Sequence, residues 1–169
     1  MHPLLSKTSR HWQMSDTDLI KLYSGRILAL AANMPHTARL SAPQATARKR
    51  SPMCGSMVTV DLAMDDGRIS EYGQDVKACA LGQAAASVVG SGIIGRTIDE
   101  VSTARAQLIE MLRNEGPAPD APFHDLEVLL PAREYKNRHA SILLAFDAAL
   151  EAAEQIAPSE TAGSHLTAP

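Results

Sequence analysis

A hairpin pattern in the middle of the chain most constrains how it can fold. Apolar residues occupy every second position from Val58 to Met64, which predicts a strand with one buried face. Asp65-Asp66-Gly67 follows and predicts a tight turn, because glycine readily adopts the positive φ that a two-residue hairpin loop requires. Ile69 begins the return strand, and Gly73 is expected to form a bulge or bend that redirects this strand toward the next helix.

The chain before the hairpin predicts one helix and one connector. Apolar residues recur at spacings of three and four after a cap at Ser15 or Asp16, and this helix is expected to continue through Gly25. It ends at Asn33-Met34-Pro35, because a residue before proline avoids the helical region. Residues 35–50 show no period and predict a long connector.

The chain after the hairpin predicts mainly helices. Small apolar residues from Ala80 to Val89 predict a buried helix, which the glycines at 90, 92 and 95 are expected to end. The capping-box pattern Thr97-Ile98-Asp99-Glu100 opens the next helix. The remaining expectations are the end of that helix near Asn114–Pro117, a short helix or turn at Phe123–Leu130, and a long last helix from about Arg133 to Ala157.

This order of elements predicts an α+β fold. A small antiparallel sheet, formed by the hairpin after the first helix, carries helices packed on one face and is followed by a long C-terminal helix. A length of 169 residues suits one domain with a core. We expect a flexible arm at 1–14, the domain at 15–157 and a disordered tail at 158–169.

Composition and charge limit the classes of function. A net charge of −3 argues against general nucleic-acid binding. The chain carries Lys and Arg but no Asp or Glu between Leu19 and Val60, which predicts a basic patch near residue 54 that faces either an acidic partner or solvent. No apolar run approaches the ~20 residues of a membrane span. The first 12 residues lack the apolar core of a signal peptide, so we expect a cytoplasmic protein with reduced cysteines.

The two cysteines of the chain are the candidate functional residues. Cys54 lies in a turn bounded by Pro52 and Gly55, which holds the thiol with free space around it. Cys79 lies where a strand gives way to a helix, and a helix start lowers the pKa of a thiol. A free cysteine is often only a small buried apolar residue. Two cysteines in such positions favour a shared thiol site.

Two thiolates are fewer than the four ligands that a zinc ion or the iron atoms of a cluster usually take. His139, near the start of the last helix, is the best local candidate for a third ligand, and an ordinary partly exposed helix residue is the alternative. The sequence has no phosphate-binding loop, dinucleotide fingerprint or Gly-x-Ser-x-Gly motif. Catalysis by Cys79 with His139 lacks a third residue to orient the histidine.

Five segments carry a resemblance to a known family. They are Ser51-Pro52-Met53-Cys54-Gly55-Ser56, the run from Cys79 to Ser87, Gly95-Arg96-Thr97-Ile98-Asp99-Glu100, Pro131-Ala132-Arg133, and His139-Ala140-Ser141-Ile142-Leu143. In their order and spacing they resemble the U-type iron–sulfur cluster assembly scaffolds, namely IscU, SufU and the N-terminal domain of NifU. The resemblance covers roughly Asp18 to Ala153.

The resemblance implies a cytosolic, non-enzymatic protein that assembles a transient iron–sulfur cluster, or carries sulfur, beside a cysteine desulfurase. Family members hold a cluster or a zinc ion with three cysteines and an aspartate. Cys54 and Cys79 match the first two cysteines, while Ser56 stands where the aspartate is expected. The third cysteine is expected at Ala140 or Ser141. His139 matches a histidine that precedes it in some members.

Three hypotheses follow. In the first, the protein is a divergent scaffold that binds iron, a transient cluster or zinc through Cys54, with Gly55 leaving room for it, and Cys79. His139, a small thiol or a second copy of the chain completes the ligands, since two copies supply four thiolates. In the second, the protein is a regulatory module that docks on a desulfurase or another iron–sulfur assembly protein. In the third, it is a sulfur carrier in which Cys79 accepts persulfide sulfur and Cys54 resolves it.

Overall fold

The computed structural model describes the backbone of residues 24–167 and the side chains of residues 24–156. The predicted arm at 1–14 and the predicted helix cap at Ser15 or Asp16 lie outside these residues. In chain order the elements are α1 (Gly25–Ala32), β1 (Ala45–Arg50), β2 (Met57–Asp65), β3 (Arg68–Lys77), α2 (Ala80–Gly92), α3 (Ile98–Arg113), a 3₁₀ helix (His124–Glu134) and α4 (Lys136–Thr167).

The predicted hairpin is present and forms two strands of a three-stranded antiparallel sheet in the order β1-β2-β3. Asp65 pairs with Arg68, which leaves a two-residue loop. Both loop residues have positive φ, 52° at Asp66 and 75° at Gly67. This is the combination that a type I′ turn requires and that the Asp-Gly sequence favours.

The prediction of one long connector at 35–50 was wrong for its last third. Residues 45–50 form β1, which pairs with β2 from Ala45 opposite Leu62 to Arg50 opposite Met57. The buried side chains of this strand are only Ala45 and Ala47, so its alternation is weak in the sequence. Pairing with β2, rather than any local preference, makes this segment a strand.

The prediction of a bulge at Gly73 was also wrong. Ala63 pairs with Glu71 and Met64 pairs with Ile69, so Ser70 is the extra residue. Gly73 is regular strand, and it is glycine because an added Cβ would lie 2.5 Å from the carbonyl oxygen of Ala38. The connector therefore crosses close over β3 at this point.

The connector is fixed to the outer face of the sheet by a buried carboxylate. Asp61, which is fully buried, accepts hydrogen bonds from Arg39 Nε at 2.6 Å and Nη2 at 3.0 Å. It also accepts from the backbone N–H of Leu40 at 3.1 Å and from Thr46 Oγ1 at 2.6 Å. The Arg39 guanidinium is the main cause of the lowered pKa of Asp61. A charge buried in the sheet is thus satisfied by groups that order the connector.

The helices pack on the other face of the sheet. Val60 and Leu62 of β2, Leu81 of α2 and Phe146 of α4 all belong to one buried core. Phe123, just before the 3₁₀ helix, stacks edge-to-face on Phe146 with ring centroids 5.3 Å apart. The predicted α+β class, with helices on one face and a long C-terminal helix, is confirmed.

Several helix limits differ from the predictions. α1 begins at Gly25 with Ser24 as its cap, so Gly25 is not in a helix interior. α2 continues through Gly90 and Gly92. A Cβ at these positions would lie too close to Gln74 and Pro122, so these glycines allow close packing and do not end the helix. The last helix begins at Lys136 and is described to Thr167, past the predicted end near residue 157. The division into arm, domain and tail stays a prediction.

The other two helical predictions agree with the structure. The capping box of α3 is complete: the N–H of Glu100 donates to Thr97 Oγ1 at 3.1 Å, and the N–H of Thr97 donates to Glu100 Oε1 at 3.2 Å. The short helix expected after Phe123 is the 3₁₀ helix. Among the helices of the described residues, none combines the length and the apolar character needed to cross a membrane.

Candidate functional site

Cys54 lies in the turn that joins β1 to β2. The N–H of Ser51 donates to the carbonyl oxygen of Ser56 at 2.8 Å, and the N–H of Gly55 donates to that of Ser51 at 3.0 Å. Gly55 has a φ of +72°, in the left-handed region that glycine tolerates best. The turn therefore closes on itself and leaves the Cys54 side chain exposed.

Cys79 is the N-cap residue of α2, directly after β3. Its backbone is extended, and its carbonyl oxygen accepts the N–H of Gln83 at 2.9 Å. Its side chain makes no capping hydrogen bond and is partly exposed. The predicted position at a strand-to-helix junction is confirmed, while the predicted effect of the helix start on its thiol stays a prediction.

Two serine hydroxyls connect the two thiols. Cys54 Sγ lies 3.1 Å from Ser56 Oγ. The hydroxyl of Ser141, on α4, donates to Ser56 Oγ at 3.0 Å. Ser141 Oγ lies 3.7 Å from Cys79 Sγ. The two sulfurs are thus joined by three successive contacts, and both hydroxyls are buried while Cys54 is exposed.

The hydroxyls also shift the pKa of Cys54. Desolvation is the largest single influence and raises this pKa, but hydrogen bonds with the Ser51 hydroxyl, with the hydroxyl and backbone of Ser56, and with the Ser141 hydroxyl together lower it to about 7, from an ordinary value of 9.0. A thiol with this pKa is about half thiolate at neutral pH. The thiolate is the form that binds metals and attacks electrophiles, so this pKa makes the reactive form of Cys54 available at neutral pH.

Gly82 sets the distance between α2 and Ser141. A Cβ at this position would lie 2.6 Å from Ser141 Oγ and 2.9 Å from the Cβ of Ala78. Only glycine therefore lets the first turn of α2 reach Ser141. This contact places the Ser141 hydroxyl beside Cys79, which precedes Gly82 by about one helical turn.

His139 is buried and is used by the protein backbone. Its Nε2 lies 3.0 Å from the carbonyl oxygen of Ala132 and 3.1 Å from that of Arg133, which joins the start of α4 to the 3₁₀ helix. Throughout the described residues, no three His, Cys, Asp or Glu side chains lie together in a way that could hold a metal ion. The alternative of a partly exposed residue is wrong, and the role of His139 as a third ligand stays a prediction that this conformation does not support.

Sequence reasoning missed the role of the serines. Ser56 was expected only as the residue at the position of the family's aspartate, and Ser141 only as one of two positions for a missing cysteine. The structure distinguishes those two positions, because Ala140 is exposed and Ser141 is buried beside Cys79. No local pattern marks these serines. The spacing of the family motifs was the available signal.

Basic side chains lie on the outer sheet face next to the Cys54 turn. Arg50, Met57 and Lys77 form one row across the three strands, and Arg48 lies in the next row of the same face. Arg48, Arg50 and Lys77 are exposed, and none has an acidic partner within the described residues. Of the cations in the predicted stretch, Arg48 and Arg50 lie here; with Lys77, which the prediction did not include, they form a cluster of three cations around Met57.

Comparison with known proteins identifies the family. The NifU-like N-terminal domain model matches residues 22–140. A curated relative from Thermotoga maritima, the iron–sulfur cluster assembly scaffold protein IscU, is 23% identical over 135 residues, which cover 80% of this chain and 94% of the relative.

Solved structures agree with this match. The N-terminal part of a nitrogen-fixing NifU-like protein from Brucella abortus is 45% identical with a TM-score of 0.81, covering 83% of this chain and 98% of that one. The FiSufU structure from Fervidobacterium islandicum AW-1 is 20% identical with a TM-score of 0.67, covering 78% of this chain and 96% of its own, and shows the shared fold. The chain belongs to the family of NifU-like N-terminal domains.

Proposed function

We propose that this protein is an iron–sulfur cluster assembly scaffold that holds iron or a transient cluster through Cys54 and Cys79. The observation that carries the proposal is the convergence of these two thiols, which are joined through Ser56 and Ser141 at one exposed end of the sheet. The name of the Thermotoga maritima relative supports the proposal. Such a protein holds its cargo and does not convert it, so we propose no enzymatic activity.

The ligand count favours a cluster shared by two copies of the chain. One copy supplies two thiolates, and an iron–sulfur cluster usually takes four. His139 would have to leave two backbone carbonyls to contribute its Nε2. Two copies that meet at their exposed Cys54 turns supply four thiolates without that rearrangement. Zinc, with its four-coordinate preference, is a second cargo of the same kind.

Anaerobic reconstitution tests this proposal. The protein is incubated with ferrous iron and sulfide, and bound iron and acid-labile sulfide are measured per chain together with the mass of the complex. We expect one cluster per two chains, and we expect Cys54→Ser and Cys79→Ser each to abolish it while Ser91→Ala, on the exposed part of α2, retains it. Iron content that is equally low in the wild type and in both cysteine variants would refute the proposal.

A second function is sulfur carriage, and the exposure and lowered pKa of Cys54 favour it. The Cys54 thiolate attacks the terminal sulfur of a donor persulfide. A new S–S bond forms on Cys54 as the donor S–S bond breaks, and the donor cysteine leaves as a thiolate. These features favour Cys54 as the acceptor, the reverse of the order expected from the sequence. Mass spectrometry after treatment with a persulfide donor should find the added sulfur on Cys54, and an added sulfur confined to Cys79 would contradict this order.

The partner we propose is a cysteine desulfurase with an acidic surface, docked on the basic cluster of Arg48, Arg50 and Lys77. Opposite charges on the two surfaces speed association and fix its orientation. The substitution Arg50→Glu should weaken binding to a purified desulfurase at low salt. Arg113→Glu, at the exposed end of α3, is the matched control. Equal binding by both variants would exclude docking at this cluster.

A further inference from the structure

The outer edge of β1 presents backbone groups that the sheet does not use. In the described part of the chain, β1 pairs with β2 alone and is an edge strand of the sheet. The N–H of Ser51 donates to the carbonyl oxygen of Ser56 at 2.8 Å and continues the same register, so the odd-numbered residues of β1 form the hydrogen-bonded pairs with β2. The N–H and C=O groups of Thr46, Arg48 and Arg50 therefore point away from the sheet.

One of these outward groups already has a partner on α4. Gln155 Nε2 donates to the carbonyl oxygen of Thr46 at 3.1 Å, which agrees with the outward direction of that carbonyl. The part of the edge that stays open comprises Arg48 and Arg50, and both residues are exposed. We infer that this open edge binds an extended acidic peptide segment of a partner protein, which joins the sheet as a fourth, antiparallel strand.

The charges on β1 select the chemistry of the added strand. Arg48 and Arg50 lie on the outer sheet face, and neither has an acidic partner among the residues that the structure describes. A second copy of β1 paired over these two residues would place cations directly opposite cations, which is destabilising. Acidic residues at alternate positions of an extended peptide would lie directly opposite the two arginines instead. The expected partner segment is therefore acidic at every second position.

β1 lacks several features that usually block an edge strand. Its register with β2 is continuous from Ala45 to Arg50, without the bulge that often protects an edge. Its six residues are a typical strand length and include no proline. Basic side chains are the protective feature that this strand does have, and they repel another basic strand while attracting an acidic one.

This inference goes beyond the proposed scaffold function. Arg48 and Arg50 also belong to the basic cluster proposed as the docking surface for a desulfurase. Docking of a folded surface needs only their charges, whereas an added strand also needs their backbone groups. Binding of a peptide requires neither iron nor a desulfurase, so a failure of the scaffold proposal and a failure of this inference can be told apart.

Fluorescence anisotropy at low salt tests the inference with a labelled synthetic peptide, Thr-Glu-Val-Glu-Val-Glu-Thr. Opposite the two arginines, the glutamates would form the hydrogen-bonded pairs, so their N–H groups would face β1. N-methylation of the glutamates should therefore weaken binding roughly tenfold or more. N-methylation of the valines, whose N–H groups would face solvent, should have little effect and is the matched control. A peptide with lysine in place of glutamate should not bind.

Variants of the protein separate the backbone from the charge. Arg48→Pro removes an outward N–H without removing a hydrogen bond to β2, and proline is tolerated at such a position of an edge strand. It should weaken binding more than Arg48→Ala, which keeps that N–H. Arg50→Glu should weaken binding roughly tenfold or more, because it reverses a charge that faces the peptide. Arg113→Glu, at the exposed end of α3, should bind as the wild type does.

Hydrogen exchange measured by NMR locates the bound peptide. Exchange of the Arg50 N–H should slow when the peptide binds, while exchange of the Lys49 N–H, which already faces β2, should not change.

Three results would overturn the inference. Equal binding of the two N-methylated peptides would show that charge alone holds the peptide. Wild-type affinity in both Arg48→Pro and Arg50→Glu would place the peptide elsewhere on the protein. A wild-type protein that does not bind the acidic peptide at low salt would show that the edge takes no strand of this kind.

Discussion

Substitution of Gly82 by alanine tests the packing that builds the site. The new Cβ would lie 2.6 Å from Ser141 Oγ and 2.9 Å from the Cβ of Ala78, and real Cβ atoms do not approach so closely. Overpacking of this kind costs about 1–3 kcal/mol, and replacing glycine by alanine in a helix returns up to about 1 kcal/mol. From the middle to the upper end of that cost, the net loss in the free energy of unfolding is about 1–2 kcal/mol.

This loss is measurable by thermal unfolding. For a chain of this size 1 kcal/mol corresponds to a change in Tm of roughly 2–4 °C, so Gly82→Ala should unfold about 2–8 °C below the wild type. Gly25→Ala is the matched control, because an added Cβ there meets nothing within 4 Å. Its Tm should be unchanged or slightly higher.

A double-mutant cycle identifies the atom responsible. Ser141→Ala removes the hydroxyl that the new methyl group would meet, so the cost of Gly82→Ala should be smaller in that background by at least 0.5 kcal/mol. Strictly additive effects, or a Gly82→Ala protein as stable as the wild type, would refute the reasoning. Gly82→Ala should also slow the alkylation of Cys54 at pH 7, because a displaced Ser141 no longer helps to lower the pKa of that thiol.

Three further predictions concern the site and the connector. Ser141→Cys places a third sulfur in contact with the thiol pair and should raise the affinity for zinc at least tenfold by competition titration, whereas Ala140→Cys, on the exposed side of α4, should not. The rate of Cys54 alkylation by iodoacetamide should rise with pH about a midpoint near 7, and a midpoint near 9 would contradict the hydrogen-bond argument. Asp61→Ala removes the acceptor of two neutral donors, which should cost about 1–3 kcal/mol by urea unfolding. Asp61 pairs with Gly73 on β3, and Asp75 lies two positions further along that strand. The control substitution Asp75→Ala should cost little stability.

The pH dependence of stability follows from the same Cys54 pKa. The folded protein holds this pKa at about 7, below its ordinary value of 9.0, so folding favours the thiolate. The stability that this group contributes is fully present above about pH 9 and is lost as the pH falls through 7. Unfolding free energies of the wild type should therefore rise between pH 7 and 9 more than those of Cys54→Ser.

Local sequence was sufficient for the hairpin and for the position of each cysteine. The Asp66-Gly67 turn and the capping box at Thr97 are decided within a few residues, and both were predicted. β1 was not, because its inward side chains are two alanines and its strand geometry comes from pairing with β2. The glycine at 73 did mark a special position in β3. It is required by the close approach of the Ala38 carbonyl oxygen and not by a bulge.

The contacts of Ser56 and Ser141 with the two thiols could not be predicted from local patterns for a different reason. Ser141 contacts Cys79 across 62 positions of sequence and Ser56 across 85. Only the packing of α4 on the sheet and on α2 brings them together, and serine is too common a residue for its spacing to indicate a site. The resemblance to scaffold motifs narrowed the position to Ala140 or Ser141, and of these two only Ser141 is buried beside Cys79.

The contacts of Ser56 and Ser141 with the two thiols also bear on how firmly the proposed scaffold site would hold its cargo. In the resting protein each hydroxyl already has a partner among the thiols or the other hydroxyl, so the site is satisfied without a metal. An incoming iron or cluster must break these contacts and gains only two thiolates per chain in return. A donor set with four cysteines would hold its metal far more firmly. If the protein is the scaffold proposed above, the serines at 56 and 141 shift the balance from retention toward release, which a protein needs if it passes its cargo to another.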